Sequence, residues 1–403
     1  MKQAEYFPQE VFAGSAAAQR SPRVIIAPHR YIQGEGVLDH LGRYLSLVHS
    51  TSPALLITEG GLKRVGGRVI QSLEKAGIEP FTLIFKGECS DEEVQCHVKQ
   101  LQSREKADAL IVVGGGKCLD AGKCVAHCLS VPVVVCPTLA STDAPCSAVS
   151  VMYTPEGAFH RPWFFPDSPA LVVVDTGIIV RAPKRHFVAG MGDAMSTFYE
   201  ARTCFRNPQA RTMVGARPTA AALAIAELGA KLLFENAFEA LEAFSRSEVN
   251  EAVESVVEAN TLLSGMGFES GGLAASHSVA QVLPMIPFLH AEYLHGEMVA
   301  MGLLAHLCLE GEMEEARRIA RFFAQVGLPV HLGQLSLDVE RHNLELDKIV
   351  NEAMNLFFVH HEPFEVTAQK LKQALLQAHR LGTEVSHDLG DEAYRSLHPQ
   401  PAL

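Results

Sequence analysis

The amino-acid sequence predicts an α/β N-terminal domain with a mostly parallel sheet, over residues 1–180, and an all-helical C-terminal domain, over 181–403. The chain has 403 residues, which is more than one hydrophobic core usually serves. Short β-branched runs alternate with helical periodicity up to residue 180, as in sheets that helices cover on both faces. Beyond residue 181 such runs almost vanish and long segments of helical periodicity remain.

Six segments of the first half predict strands, because they are short, apolar and rich in β-branched residues. They are 23–27, 54–58, 80–85, 109–113, 131–136 and 171–174. Helical periodicity predicts helices between them and throughout the second half, over 62–76, 91–102, 119–129, 219–241, 248–265, 297–309, 313–325 and 366–381. The two ends, roughly 1–20 and 385–403, are expected to be loosely held.

Composition narrows the class of protein. A formal net charge of −12 without a basic cluster argues against nucleic-acid binding. No apolar run approaches the roughly 18 residues of a membrane span, and residues 1–20 lack the apolar centre of a signal peptide. Nine cysteines, an odd number without a C-x-x-C pair, indicate reduced thiols and a cytoplasmic protein.

Three glycines, Gly114, Gly115 and Gly116, connect the predicted strand 109–113 to a helix. Glycines let the backbone approach a phosphate closely and expose several N–H donors. The N-terminus of the following helix adds a partial positive charge. The run matches neither G-x-G-x-x-G nor a P-loop. Taken alone it is more often a plain strand–helix connection than a pyrophosphate site.

Two further features favour a dinucleotide. The loop after the next predicted strand carries Thr138, Ser141, Thr142 and Asp143, at the strand end where open α/β sheets bind ligands. Glu59 directly follows strand 54–58, where a carboxylate accepts hydrogen bonds from ribose hydroxyls and disfavours a 2′-phosphate. Each has an alternative interpretation: a polar, helix-capping loop and a solvated carboxylate.

Asp193, His277 and His295 stand in glycine-bordered segments of the second half. One carboxylate and two imidazoles suit Zn²⁺ or Fe²⁺ and leave positions open for substrate oxygens. Spacing alone is weak evidence, since the chain has 18 histidines and most histidines in proteins are surface or interior residues without a metal.

Five segments together resemble successive motifs of the glycerol dehydrogenase branch of the iron-containing, metal-dependent alcohol dehydrogenase family. They stand in the family's order and read GGGKCLDAGK, PTLASTDAPCSAVSVMYTPEG, FFPDSPALVVVDTGIIVRAPKRHFVAGMGDA, GFESGGLAASH and HGEMVAMGLL. The resemblance extends over roughly residues 21–385. It implies a Rossmann-like N-terminal domain, a helical C-terminal domain and an active site in the cleft between them. It also implies NAD, one divalent metal (zinc more than iron) and a homo-oligomer.

The resemblance assigns roles by matching positions. Asp193, His277 and His295 correspond to the metal ligands, and Asp143 to a catalytic carboxylate beside the substrate. Glu59 stands where the family usually has Asp and is still acidic, which keeps the preference for NAD. The positions that correspond to cofactor contacts are Glu59, Gly114, Gly115, Gly116, Lys117, Cys118, Thr138, Leu139, Ala140, Ser141, Ser147, Val149 and Tyr153.

Two stretches depart from the family pattern. Three residues after the first metal histidine the family usually has a second histidine, followed by Asn-Gly, whereas this chain has Ala280. An imidazole that could relay a proton or orient the substrate is therefore missing, and glycerol itself is not assured as the substrate. The run His360-His361-Glu362-Pro363 matches a family His-Asn-x-Pro loop only in part. Both departures fit a reshaped substrate pocket.

The expected reaction is reversible oxidation of a small alcohol or vicinal diol, with hydride passing to NAD. Two alternatives stay open at this point. A lyase resembling dehydroquinate synthase would use NAD only transiently and would need basic residues for a phosphorylated substrate. A non-catalytic paralogue would bind NAD or metal without turnover, and Ala280 gives that alternative some support.

Overall fold

The computed structural model describes residues 6–12, 21–103 and 107–398. A six-stranded sheet occupies the first half and helices make up 176–398, which confirms the predicted fold class. The strands are β1 (Tyr31–Gly34), β2 (Ala54–Thr58), β3 (Phe81–Phe85), β4 (Leu110–Gly114), β5 (Val133–Pro137), β6 (Val149–Tyr153), β7 (Phe159–Phe164) and β8 (Leu171–Asp175).

The order of strands places a crevice beside the glycine turn. The sheet runs β1-β8-β5-β4-β2-β3, and every neighbouring pair is parallel. From β2 the chain continues to β3 on one side and then returns to β4 on the other side of β2. At such a reversal the loops diverge beyond the carboxyl ends of the strands and leave room for a ligand. Thr58 and Gly114 end the two strands at this point.

The α-helices cover the sheet and form the second half. They are α1 (Pro8–Phe12), α2 (Leu41–Tyr44), α3 (Glu59–Gly61), α4 (Gly67–Glu74), α5 (Asp91–Gln102), α6 (Gly116–Leu129), α7 (Thr176–Ile179), α8 (Lys184–Arg206), α9 (Ala220–Ser245), α10 (Glu251–Glu258), α11 (Ser264–Gly271), α12 (Ala275–Val282), α13 (Pro287–Glu292), α14 (His295–Leu309), α15 (Met313–Val326), α16 (Asn343–Ala353), α17 (Ala368–Leu389) and α18 (Glu392–Leu397).

Two hydrophobic cores flank the sheet because successive side chains of a strand point to opposite faces. Ile111 and Val113 of β4 join a smaller core with α2 and α4. Leu110 and Val112 join a larger core that continues into the helices of the second half. The sheet and the helical half therefore share one packed interior.

One predicted strand is wrong, and three of the observed strands, β1, β6 and β7, are not predicted by the sequence pattern. Residues 23–27 form no strand and make only an isolated bridge between Arg23 and Arg217. Ile25 is 46% exposed, so this run lies outside the sheet despite its apolar residues. The edge strand is β1, whose four residues are only half buried and give little periodicity. Strands β6 and β7 form a separate antiparallel hairpin that the sequence pattern does not predict.

The expectation that the chain is loosely held beyond residue 385 is wrong for 385–398. Helix α17 continues to Leu389, and α18 packs against α15. Near the other end, Gln9 of α1 donates from Nε2 to the carbonyl of Met213 at 3.0 Å. Residues 1–5, 13–20 and 399–403 lie outside the described residues. Within the described part of the chain no helix is long and apolar enough to cross a membrane.

The domain boundary near residue 181 falls between the end of β8 at Asp175 and the start of α8 at Lys184. It stays a prediction.

Candidate active site

Three helices bring together the three residues predicted to bind metal. Asp193 lies on α8, His277 on α12, and His295 is the first residue of α14. The Asp193 Oδ1 atom is 3.4 Å from Nε2 of His277 and 3.6 Å from Nε2 of His295. One ligand atom from each residue lies within 4.8 Å of the other two. The side chains converge on one point, as ligands of a single ion do.

The chemistry of this set fits a divalent cation. Asp193 is fully buried, and neither of its carboxylate oxygens has a hydrogen-bond partner among the described residues. A buried carboxylate without compensation is strongly unfavourable. The two imidazole nitrogens face it at distances longer than good hydrogen bonds. Metal–ligand bonds of about 2.0–2.2 Å to each atom would span these gaps.

The charges around Asp193 keep it ionised. Burial raises the pKa of the carboxyl, but the imidazoles of His295 and His277 outweigh burial and hold the pKa below its usual value. Burial lowers the pKa of His277 too, yet Glu200 and Asp193 raise it well above the ordinary value. A divalent cation would displace the proton on Nε2 of His277, since the proton and the cation neutralise the same Asp193 carboxylate.

Glu200, which the sequence pattern does not identify, contacts Nδ1 of His277, the ring nitrogen that does not face Asp193. It lies on α8 two turns after Asp193 and is fully buried. Its Oε2 atom is 2.5 Å from Nδ1 of His277, while Oε1 accepts the backbone N–H groups of His277 at 2.9 Å and Ala274 at 2.7 Å. A proton on Nδ1 leaves Nε2 free to coordinate, the usual arrangement behind a metal-bound histidine. The i,i+7 spacing to Asp193 is the sequence signal that could have revealed it.

Close contact between two helices places Asp193 beside His295. A Cβ atom on Gly192 would lie 2.4 Å from the carbonyl oxygen of Gly296, and one on Gly296 would lie 1.8 Å from that of Ala189. Both distances are shorter than any Cβ contact allows. Only glycine at these positions lets α8 and the start of α14 touch backbone to backbone.

Gly296→Ala is therefore expected to force α14 away from α8. We expect a loss of about 1–3 kcal/mol or more in the free energy of unfolding, together with weaker metal binding because His295 moves with the helix. Thermal unfolding and metal content after gel filtration measure the two effects. Gly67→Ala in α4 is the control, since no described atom lies within 4 Å of its Cβ position. Equal midpoints for Gly296→Ala and the wild-type protein would contradict this account.

The glycine turn and the 138–142 loop adjoin at the carboxyl ends of β4 and β5. Gly115 caps α6, and Gly116 begins it, so their N–H groups start the helix at the crevice. The Thr138 N–H donates to the carbonyl of Gly114 at 2.9 Å. The Leu139 side chain lies 3.1 Å from the Cβ position of Gly115. The structure thus brings these predicted cofactor contacts together.

Glu59, Lys117 and Cys118 differ in how they face the crevice. Glu59 begins α3 at the end of β2, is exposed, and pairs with Lys63 at 2.7 Å. The Lys117 Nζ atom pairs with Oε1 of Glu88 at 2.6 Å and lies 5.2 Å from the centre of the Tyr153 ring. The Cys118 side chain is buried in the core, so only its backbone is available to a cofactor.

Lys123, a second residue that the sequence analysis missed, holds the loop that carries Asp143, Ser147 and Val149. Its buried ammonium is 2.9 Å from Oδ1 of Asp120. It donates to the carbonyls of Ala144 at 3.0 Å and Val149 at 2.5 Å and to Oγ of Ser147 at 3.2 Å. These bonds fix the loop between the crevice and the metal ligands.

Asp143 is partly buried and lies close enough to Asp193 and His277 for their charges to act on its carboxyl. Burial, together with the charge of Asp193, raises the pKa of its carboxyl well above the usual value. Both effects favour the protonated form of this carboxyl. Ala280, one turn after His277 on α12, is fully buried and offers no polar group.

Glu269 on α11 ties the helical half to the same loop. Its carboxyl accepts the Ala148 N–H at 3.0 Å, and burial raises its pKa to about 7. The folded protein therefore binds more protons than the unfolded chain between pH of about 4.5 and 7. The contribution of this group to stability falls as pH rises through that window.

Glu269→Gln is expected to match the wild-type stability near pH 5 and to exceed it by up to about 3 kcal/mol near pH 8. The reason is that the amide cannot ionise. Unfolding midpoints of both proteins across this range are the measurement. A stability difference that does not change with pH would show that Glu269 does not titrate there.

A second group of metal-type side chains lies at the other end of α14. His306 is fully buried, with Nε2 3.6 Å from Oε1 of Glu310 and Nδ1 3.5 Å from Oε1 of Glu362. One ligand atom from each of the three residues lies within 4.8 Å of the other two. The two ring nitrogens nevertheless face different carboxylates, so the imidazole bridges the two glutamates. This arrangement fits a buried ion-pair network better than a metal site.

Comparisons with known proteins show the family of the chain. A family model described as "Iron-containing alcohol dehydrogenase" matches residues 28–176. A glycerol dehydrogenase of Escherichia coli O6:H1 is 42% identical over 367 residues, which cover 89% of this chain and 97% of the relative. A glycolaldehyde reductase of Halobacterium salinarum is 36% identical over 364 residues, covering 90% of this chain and 98% of the relative.

A solved structure gives the same result for the fold. The glycerol dehydrogenase of Schizosaccharomyces pombe superposes with a TM-score of 0.86 at 31% identity, covering 92% of this chain and 94% of that one. The relatives match along nearly their whole length, through both the sheet and the helical half. The chain therefore belongs to the iron-containing alcohol dehydrogenase family, as an oxidoreductase of its glycerol dehydrogenase branch.

Proposed function

We propose that this oxidoreductase transfers hydride reversibly between NAD and a small alcohol or vicinal diol, with a divalent metal held by Asp193, His277 and His295. The observation that carries the proposal is the Asp193 carboxylate. It is buried, lacks a hydrogen-bond partner among the described residues, and faces two imidazoles. A charge in that state needs a cation.

The cofactor would bind in the crevice between β2 and β4. The N–H groups at Gly115 and Gly116 would receive the pyrophosphate at the start of α6. Lys117 would add a positive charge, which Glu88 now orients. Glu59 would accept hydrogen bonds from a ribose and disfavour a 2′-phosphate. Further proposed contacts come from Gly114, the Cys118 backbone, Thr138, Leu139, Ser141, Ser147, Val149 and Tyr153.

The residues around the proposed site have separate roles in the proposed reaction. When bound, the metal supplies Lewis acidity, which lowers the pKa of a substrate hydroxyl. Asp193, His277 and His295 fix its place, and Glu200 fixes the tautomer of His277. Asp143 would orient a second hydroxyl or hold the proton that leaves. Zinc is the metal we propose, because three N and O ligands with an open position are typical of catalytic zinc sites.

The substrate class follows from the polar groups around the ligands and from the relatives. Their names include glycerol dehydrogenase and glycolaldehyde reductase, whose named substrates are small molecules with neighbouring oxygens. Asp143 could accept a hydrogen bond from a second hydroxyl. The methyl group of Ala280 cannot accept such a bond, so the pocket has one polar group fewer than the family pattern. Simple alcohols and hydroxy acids are therefore tested together with diols.

The test is a screen of the metal-reconstituted protein with diols, simple alcohols and hydroxy acids, using NAD and, separately, NADP. We expect net NADH formation with a diol, faster with NAD than with NADP, and lost after chelation. A lyase of the dehydroquinate synthase type would turn over without net NADH. A non-catalytic paralogue would bind metal and NAD but show no turnover with any compound.

We further propose a homo-oligomer. The proposal follows from the resemblance of the sequence motifs to the family, which implies an assembly of identical subunits. Light scattering on the purified protein measures the mass, and a monomer at micromolar concentration would refute this part of the proposal.

A further inference from the structure

The last described residue, His398, reaches the helix that begins with His295. Glu297, two residues into that helix, is 1% exposed. Its Oε1 atom is 2.8 Å from Nε2 of His398 and 2.6 Å from Nε of Arg185. Its Oε2 atom accepts from Nη2 of Arg185 at 2.6 Å and from the Leu294 N–H at 2.8 Å. One buried carboxylate thus joins three separate parts of the chain.

Glu297 controls how α14 starts. Leu294 is the residue before the helix, and its N–H group is satisfied by the Glu297 side chain three residues later. This is the reciprocal half of a capping box, which sets the direction in which a chain enters a helix. His295 is the first residue of α14, so its backbone lies between the two capping groups. Displacement of the Glu297 carboxylate would therefore displace His295.

His398 is itself firmly placed. Its ring stacks on Tyr394 at 4.0 Å between centroids with an interplanar angle of 16°, and Nδ1 lies 2.9 Å from the Tyr394 carbonyl. The Tyr394 hydroxyl donates to the carbonyl of Gln334. Both ring nitrogens of His398 face acceptors. Because a carboxylate oxygen can only accept, the tautomer with its proton on Nε2 donates to Glu297.

We propose that His398 is a positioning residue for the metal site, and that α18 presents it to Glu297 and thereby fixes His295. The inference rests on the proposed role of His295 as a metal ligand. The family motifs extend only to about residue 385, so they do not supply this contact. Arg185 holds both carboxylate oxygens and also donates to the Glu292 carbonyl at 2.6 Å. His398 adds a second contact to Oε1, the oxygen that Nε of Arg185 also contacts.

The test uses full-length protein and separates the hydrogen bond from the packing. His398→Phe keeps an aromatic ring against Tyr394 and removes the donor, whereas His398→Gln restores a donor without the ring. Tyr394→Phe is the control, since it keeps the stacked ring and loses only the hydroxyl contacts with Gln334 and Tyr293. For each protein, the zinc dissociation constant is measured by competition with a chelator, and the visible spectrum of the Co²⁺ form reports ligand geometry.

We expect His398→Phe to bind zinc about tenfold more weakly, at the lower end of the effects of outer-shell partners, with an altered Co²⁺ spectrum. His398→Gln should lie within about threefold of the wild-type constant. Tyr394→Phe should keep that constant even if its unfolding midpoint falls. Unchanged zinc affinity and spectrum in His398→Phe would overturn the inference. So would equal losses in the Phe and Gln variants, which would indicate packing alone.

A measurement without substitution covers the case in which His398→Phe does not fold. Metal binding that is coupled to residues 392–398 must also act on them in return. We expect zinc to slow amide hydrogen exchange in α18 as well as at the start of α14. Zinc binding without any change in α18 would contradict the inference. If the wild-type protein binds no zinc, or Asp193→Asn binds it equally well, the proposed function fails first.

Discussion

Asp193→Asn is expected to abolish metal binding and to lower turnover by about a thousandfold or more, while NAD binding persists. The carboxylate is the single negative charge among the three proposed ligands, and an asparagine cannot replace it at a fully buried position. Lewis-acid stabilisation contributes several kcal/mol to such reactions, and each 1.4 kcal/mol corresponds to about a tenfold change in rate. Metal content by mass spectrometry and initial rates of NADH formation measure the loss.

A matched control makes this result specific. Asp347 forms a surface pair with Lys372 at 2.5 Å, far along the chain from the proposed site. Asp347→Asn should retain metal, activity and NAD affinity, because exposed pairs contribute little to stability. If Asp193→Asn kept both metal and activity, the assignment of Asp193 would be wrong.

Glu200→Gln is expected to weaken metal binding by about 10–100-fold, although Glu200 would not touch the ion. The amide oxygen could still accept the N–H groups of Ala274 and His277, so the local backbone should hold. The amide N–H₂, however, would face Nδ1 of His277, which now lies 2.5 Å from a carboxylate oxygen. Nδ1 must then become an acceptor, which moves the proton to Nε2 and blocks the nitrogen that faces Asp193.

The control for this prediction is another fully buried glutamate. Glu269→Gln changes a carboxyl on α11 that contacts the Ala148 N–H and not the proposed ligands. It should keep the wild-type zinc dissociation constant, measured by the same chelator competition. Equal zinc affinity in Glu200→Gln and the wild-type protein would show that the contact between Glu200 and His277 does not set the tautomer.

The sequence predicts most clearly the strands that are buried along nearly their whole length, although it also predicts the partly buried β3. Strands β2, β4, β5 and β8 are apolar up to their last residue, and the sequence pattern predicts their positions to within a few residues. Strand β1 is half buried, and the hairpin of β6 and β7 alternates irregularly, so neither has a clear period. Residues 23–27 have strand composition but no sheet neighbour beyond one bridge, and composition cannot show this.

In the candidate site, the sequence predicts the residues that lie within recognisable motifs and not the residues that contact them from distant positions. The residues that the motifs mark, such as Asp193 and His277, are predicted from their neighbours in sequence. Their partners are not, because the contacts join distant positions: 77 residues separate Glu200 from His277, and 101 separate Glu297 from His398. A glutamate in a helix or a histidine near the chain end has no local pattern. Only the packing of α8, α12, α14 and α18 brings these groups together.

The most direct test of the central claim is anomalous X-ray diffraction at the zinc edge from crystals of the zinc-loaded protein with NAD. The proposed site predicts one strong peak, about 2 Å from a carboxylate oxygen of Asp193 and from Nε2 of His277 and His295. A strong peak elsewhere, for example among His306, Glu310 and Glu362, with no zinc at these three residues would contradict it.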